Sequence, residues 1–233
     1  MDRHEFEASI SKAWSKVEML AVAETFSNGG SLDVDEKFRN LVLRMDSKYE
    51  DIFLYGLTNS HYNFLLTDHS FFQFTWNAAD DVRYAFYPNP FIGGGAQRLV
   101  RYKKNRELLI SDFISYEEFL RLLDDERGQG RVPVIRYENA PKQYKMLVHP
   151  CSHLHIGLHG EDRWAVRRLL NPLAFTMIVL RNYYGDDWKH YGAENPKTGL
   201  NVLDEELIQV RKECPLLTES YFSELENSAF HII

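Results

Sequence analysis

The sequence predicts an α+β protein: a largely antiparallel β-sheet packed on a buried helix, with a helical hairpin before it and short helices after it. Three observations carry that expectation. Apolar residues recur at helical intervals near both ends of the chain, and short aromatic and branched runs bounded by Asn, Asp, Ser and Gly fill the middle. The order then reads helices, strands, helix, strands, helices, which a repeating βαβ arrangement would not give.

The elements follow in order. Phe6, Ile10, Ala13, Trp14, Val17, Leu20 and Ala21 fall at three- and four-residue intervals, so residues 3–26 read as an amphipathic helix behind Asp2 as cap, closed by Asn28–Gly30. A second helix is expected from about Asp33, with Val34, Phe38, Leu41, Val42 and Met45 on one face; the two would form an αα-hairpin. From Asp51 the runs DIFLYGL, YNFLLT, FFQFTW and VRYAFY read as strands, the last two joined by the hairpin loop NAADD. Pro88–Gly95 breaks the strand as a surface loop, with neither a Gly-Lys-Ser/Thr ending nor a following helix signature to make it a phosphate loop. Ser115 three residues before Glu118 marks a capped helix ended by RGQG. RVPVIRYE and YKMLVHPCSHLHIGL read as two more strands. A central buried helix is expected from Glu161 to about Tyr184, bent at Pro172, then a loop through YYGDDWKHYG and short helices near Asp204–Arg211 and Thr218–Asn227.

The 233 residues fit one domain over 1–233, with 1–48 as the hairpin annex, 51–185 as the α+β core and 186–233 as a C-terminal helical segment. A formal net charge of −7 argues against a generally basic nucleic-acid coat, while leaving room for local basic clusters at Arg98–Arg106 and at Arg163, Arg167 and Arg168. Cys151 and Cys214 share no metal-type spacing and read as reduced thiols of a cytoplasmic protein. The longest apolar run, Leu169–Leu180, is interrupted by Asn171 and Pro172 and is too short to span a bilayer, so no membrane partner is expected.

The strongest signal lies at His149–Glu161, HPCSHLHIGLHGE, which holds four of the nine histidines. In an extended strand the odd positions read His149, Cys151, His153, His155, Gly157 and His159, and the even ones are mostly apolar. One face is ionisable and the other meets the core. Two histidines two apart sit about 7 Å apart at the backbone, near enough to converge on an ion such as zinc, with His149, His159, Cys151 or a distant carboxylate completing the set. Alternatively one imidazole takes a proton from a ribose 2′-hydroxyl while another serves the leaving group, with Arg136, Arg83 or Arg163 stabilising the phosphate. A histidine-triad hydrolase is disfavoured because Gly157 stands where its third histidine belongs. The plain alternative is a half-exposed polar sheet face with no chemistry.

Arg136 and Glu138 share one face of the preceding strand. Hairpin register alone decides whether that face is the histidine face, and a single bulge reverses it. Tyr183–Gly192 reads as a capped helix end followed by a loop in preference to a cover for the site or a partner surface, whereas the three arginines at 163, 167 and 168 read equally as a solvated face or as a hold on a phosphate backbone, with Arg163 and Arg167 together on a helical face.

Over residues 131–185 the combination RYENAP with HPCSHLHIG resembles bacterial domains of unknown function, and more distantly the toxin components of toxin–antitoxin pairs. That resemblance implies action on RNA, with Glu138, His153 and His155, joined by His149, as the site. The expected function is therefore a ribonuclease or phosphodiesterase, a hydrolase of a toxin or antiviral-defence system, using His153 and His155 with Arg136, Glu138 and His149. Its expected partners are RNA and a cognate protein. The alternatives are a non-enzymatic partner-binding module and a metal-dependent small-molecule hydrolase, whose divalent ion such as zinc would sit on His153, His155, His149 and His159.

Overall fold

A seven-stranded open sheet, antiparallel throughout and in simple chain order, organises the computed structural model, which describes residues 1–92, 96–124, 133–158 and 162–230. The elements run α1 Arg3–Met19, β1 Ala23–Phe26, α2 Glu36–Leu43, α3 Tyr49–Thr58, β2 Phe64–Leu66, β3 Phe71–Ala78 and β4 Asp81–Tyr87. Then follow α4 Ala96–Ile110, α5 Tyr116–Asp124, β5 Ile135–Asn139, β6 Ser152–Ile156, β7 Trp164–Ala165, α6 Pro172–Tyr183, α7 Gly185–Tyr191, α8 Val202–Glu213 and α9 Glu224–Phe230. The fold is α+β.

Alternation along the strands gives the sheet two apolar faces. Phe64, Phe72, Phe74, Val82, Tyr84, Phe86 and Tyr137 pack with α1, α6 and α8. Leu65, Phe71, Ala85 and Tyr87 pack on the other side with residues of α2 to α5. The sheet is thus a central layer, and α1 and α2 contribute to different cores. That corrects the expected N-terminal hairpin. Asp2 does cap α1 in a capping box with Glu5, but the helix stops at Met19, Ala21 turns at φ 55°, and residues 23–26 become the edge strand β1.

Three further expectations change. DIFLYGL is the helix α3, not a strand; it is buried nearly all round, and a fully buried segment shows no period that separates helix from strand. The basic segment after Pro88–Gly95 is the helix α4, and residues 93–95 of the loop lie outside the described residues, as does RGQG. The central helix begins at Pro172, behind Asn171, whose side chain accepts from the Ala174 amide. Proline at the first helical position starts the helix instead of bending it, because the amide it lacks would have no partner there.

The residues before it are extended. β7 pairs with β6, Arg168 bridges to Leu216, and the Arg168 carbonyl accepts from the Tyr137 hydroxyl at 3.2 Å and Ser152 Oγ at 3.0 Å. The Leu170 amide in turn donates to Tyr137 Oη at 2.9 Å. Tyr137 therefore ties β5, β6 and this strap together at one buried oxygen. The expected sharing of a helical face by Arg163 and Arg167 falls with the helix. YYGDDWKHYG forms α7, with Trp188 buried, where a loop was expected. The hairpin of β3 and β4 and the capping of α5 by Ser115 stand as expected, the Glu118 amide donating to Ser115 Oγ at 3.1 Å. Cys151 and Cys214 are both free thiols. Among the described residues no helix is long and apolar enough to cross a membrane.

His69, in the β2–β3 turn at φ 66°, is buried with its ring edge-on to Tyr102, and burial, followed by Arg106 and Lys103 nearby, pulls it down to about 4. A histidine held neutral by the fold stabilises it fully above pH 6.5, and that stability drains away as pH falls toward 4. The expected loss between pH 7 and pH 4.5 is roughly 2–3 kcal/mol from this residue. His69→Asn, which tolerates the left-handed backbone and does not titrate, should flatten the fall in urea midpoint over that interval. An unchanged slope in the variant would remove His69 as its source.

Candidate functional site

The register of β5 against β6 decides the site. Arg136 pairs with His155 and Glu138 with His153, while on the other side Arg83 pairs with Glu138 and Ala85 with Arg136. Ala165 of β7 lies opposite His153. One face of four adjacent strands thus carries two rows, Arg83–Glu138–His153–Ala165 and Ala85–Arg136–His155. Alanines at the ends of the rows leave the space to the larger polar groups.

Within these rows Glu138, His153 and His155 each bring a ligand atom to within 4.8 Å of the others, the one such gathering that includes these residues among those described. His153 is fully buried and His155 is 7% exposed, whereas the Glu138 side chain keeps 23% of its surface and meets Arg83 at 4.0 Å. The access to the cluster is on the glutamate side.

The protonation of His153 follows from its partners. Nδ1 lies 2.8 Å from the Pro150 carbonyl, which can only accept, so Nδ1 carries the proton and donates. Burial first, then the neighbouring His155, pull His153 down to about 4, so the ring is neutral and Nε2 presents a lone pair. That lone pair faces His155 Nε2 at 3.0 Å, where His155 donates. A carbonyl on the remote nitrogen is the arrangement that fixes a metal-ligating histidine in its tautomer. Two nitrogens on a tetrahedral zinc would stand about 3.4 Å apart. The two rings need to open by only a few tenths of an ångström to admit an ion, with the His155 ring proton moving to its other nitrogen.

His149 sits outside β6, in a turn bridged to Lys145, with its ring edge-on to His153 at 5.0 Å between centroids. It walls the cluster and adds no ligand atom to it. Arg136 donates from Nη2 to the Leu158 carbonyl at 3.2 Å; its buried Nε and the buried Nδ1 of His149 have no hydrogen-bond partner among the described residues. His159 lies outside the described residues.

Cys151 is corrected as a candidate ligand. Pro150 delays the strand to Ser152, so the odd-position rule fails before that point, and the Cys151 thiol turns to Asn139 Oδ1 at 3.7 Å. Burial pushes it up to about 12, which leaves it an inert thiol. Two parts of the site had no clear signature in the sequence: the Pro150 carbonyl, since any residue offers one, and Ala165, since β7 has only two residues.

A family model described as Uncharacterized conserved protein (DUF2290) matches residues 19–233. That description names no activity and no toxin. No curated protein and no solved structure matches the chain.

Proposed function

We propose, for a chain that belongs to this family of uncharacterized conserved proteins, a metal-dependent phosphoesterase whose divalent ion is held by Glu138, His153 and His155. The observation that supports it is the cross-strand register that gathers three ligand atoms within 4.8 Å, with the tautomer of His153 already set by Pro150. The acid–base alternative is weaker. A general base works best with a pKa near the operating pH, and His153 is buried and held at about 4.

Two histidines and one glutamate match a catalytic zinc set, which keeps one position open for water or substrate. A structural zinc site takes four protein ligands, and the described residues bring three. Two histidines and a carboxylate also suit iron(II), so the metal is to be identified by analysis. When bound, the ion would polarise a phosphoryl oxygen and acidify a water. The chain supplies the rest. Arg83, half exposed beside Glu138, and Arg136 on the same face attract and orient an anionic ester, and Glu138 offsets their charge. An RNA phosphodiester, the substrate implied by the toxin resemblance, belongs to this class.

The test is hydrolysis of bis(p-nitrophenyl) phosphate and of a mixed RNA pool by protein before chelation, after it, and after return of zinc, manganese or iron(II). Activity is expected to vanish with chelator, to return with one of these ions, and to be absent in His155→Ala. Activity that survives chelation would hand the histidines back to acid–base chemistry. No hydrolysis by the metal-replete protein would overturn the enzyme reading in favour of a non-enzymatic partner-binding module.

A further inference from the structure

Along the edge strand β7 lies a second feature that the phosphoesterase reading does not use. Trp164 pairs opposite Leu154, whereas Ala165 pairs opposite His153, so Trp164 projects from the other face of the sheet. Beside Trp164 a cavity of about 750 Å³ opens between the strap before α6, the end of α8 and α9, lined by Arg163, Arg167, Arg168 and Arg211 together with Trp164 and Phe222. Glu138, His153 and His155 do not line it.

Its charge runs against that of the chain. The protein carries a net −7, but among the described residues that line the cavity Arg167, Arg168 and Arg211 stand with one acidic residue, Asp162, a local balance of +2 (3 − 1) with the partnered Arg163 left out. Arg168 gives its Nη1 to two neutral acceptors, the Lys212 carbonyl at 3.0 Å and the Cys214 carbonyl, which brace it without neutralising it. Neither Arg167 nor Arg211 holds a carboxylate among the described residues. Unneutralised guanidinium groups converging on a cavity suit a phosphate, which they bind in a planar, bidentate way. Trp164 is 48% exposed, so a large flat ring lies open in the same wall, available to stack on another flat ring. The volume is that of a small-molecule site, within the usual range of about 300–1,000 Å³. A nucleic-acid strand needs a groove that tracks its backbone instead.

We infer that this cavity binds a nucleoside phosphate, with the phosphate on Arg167, Arg168 and Arg211 and the base against Trp164. The inference is independent of the metal reading. Its test is calorimetric titration of the full chain with AMP, adenosine, inorganic phosphate and a short single-stranded oligoadenylate. AMP should bind at least about tenfold more tightly than adenosine or phosphate alone, because it engages both halves of the site. Arg167→Glu/Arg211→Glu, at two surface positions, should abolish AMP binding with an unchanged circular dichroism spectrum and melting temperature. Trp164→Ala should weaken binding and Trp164→Phe largely restore it. Glu138→Gln should bind AMP like the wild type, so failure at the metal site and failure here are read separately. The inference is overturned if AMP gives no binding, if phosphate binds as well as AMP, if only the oligonucleotide binds, or if the double arginine variant binds AMP normally.

Discussion

Glu138→Gln is expected to abolish binding of the proposed divalent ion while leaving the fold intact. Groups that only hydrogen-bond to metal ligands are worth about 10–100-fold in affinity, so loss of a ligand should exceed about a hundredfold. The fold should tolerate the change. Among the described residues Glu138 pairs with Arg83 at 4.0 Å, partly exposed, and pairs of that kind contribute about 0–1 kcal/mol. Metal content by elemental analysis, on protein purified without chelator, should be near stoichiometric in the wild type and near background in the variant. A second readout needs no activity. An ion that binds only the folded chain raises its stability by about 2.7 kcal/mol at a hundred times its dissociation constant. Added metal should therefore raise the melting temperature of the wild type and not that of Glu138→Gln or His155→Ala. Equal shifts in all three proteins would place the ion elsewhere.

Phe175→Ala is expected to be the most destabilising single truncation considered. The ring projects from α6 and is 1% exposed, with Phe72, Phe74, Tyr84 and Tyr137 at centroid distances of 6.3, 6.5, 5.7 and 6.5 Å. It joins the three central strands β3, β4 and β5 to the helix. Removing it exchanges a packed ring for a cavity and should cost about 3–5 kcal/mol. For a chain of this size that corresponds to a melting temperature lower by roughly 6–20 °C. Phe175→Leu should recover more than half of the loss. A cost below about 1 kcal/mol would mean that the strands and α6 are held together by other contacts.

Much of the secondary structure was legible because its causes are local. Asp2, and Ser115 with Glu118, mark helix starts within one turn, and those starts are where the structure has them. FFQFTW and VRYAFY around NAADD announce a hairpin through alternation and a turn, and β3 and β4 pair across it. His153 and His155 fall on one face of β6 because alternation is a property of any strand, and the apolar Leu154 between them packs toward α6.

The misread elements share a cause. α3 is buried on nearly every side, so its apolar run carries no period, and residues 162–171 hold helix-like spacing but are committed to β7 and to the Tyr137 hydroxyl. Cys151 was placed on the histidine face by extending a strand rule through Pro150, where the strand has not yet begun.

What the sequence determined by itself is therefore the α+β class, the hairpin at the middle of the sheet, and a strand with imidazoles on one side. Tertiary structure alone decided that Glu138 stands against His153 and Arg136 against His155, that Pro150 sets the ring proton, and that Trp164 turns to the opposite face beside a cavity where arginines gather. Alternation and capping act between neighbours in the chain, so a single sequence displays them. Register is a choice among pairings whose backbone hydrogen bonds are nearly equivalent, and it is settled by packing against residues remote in sequence.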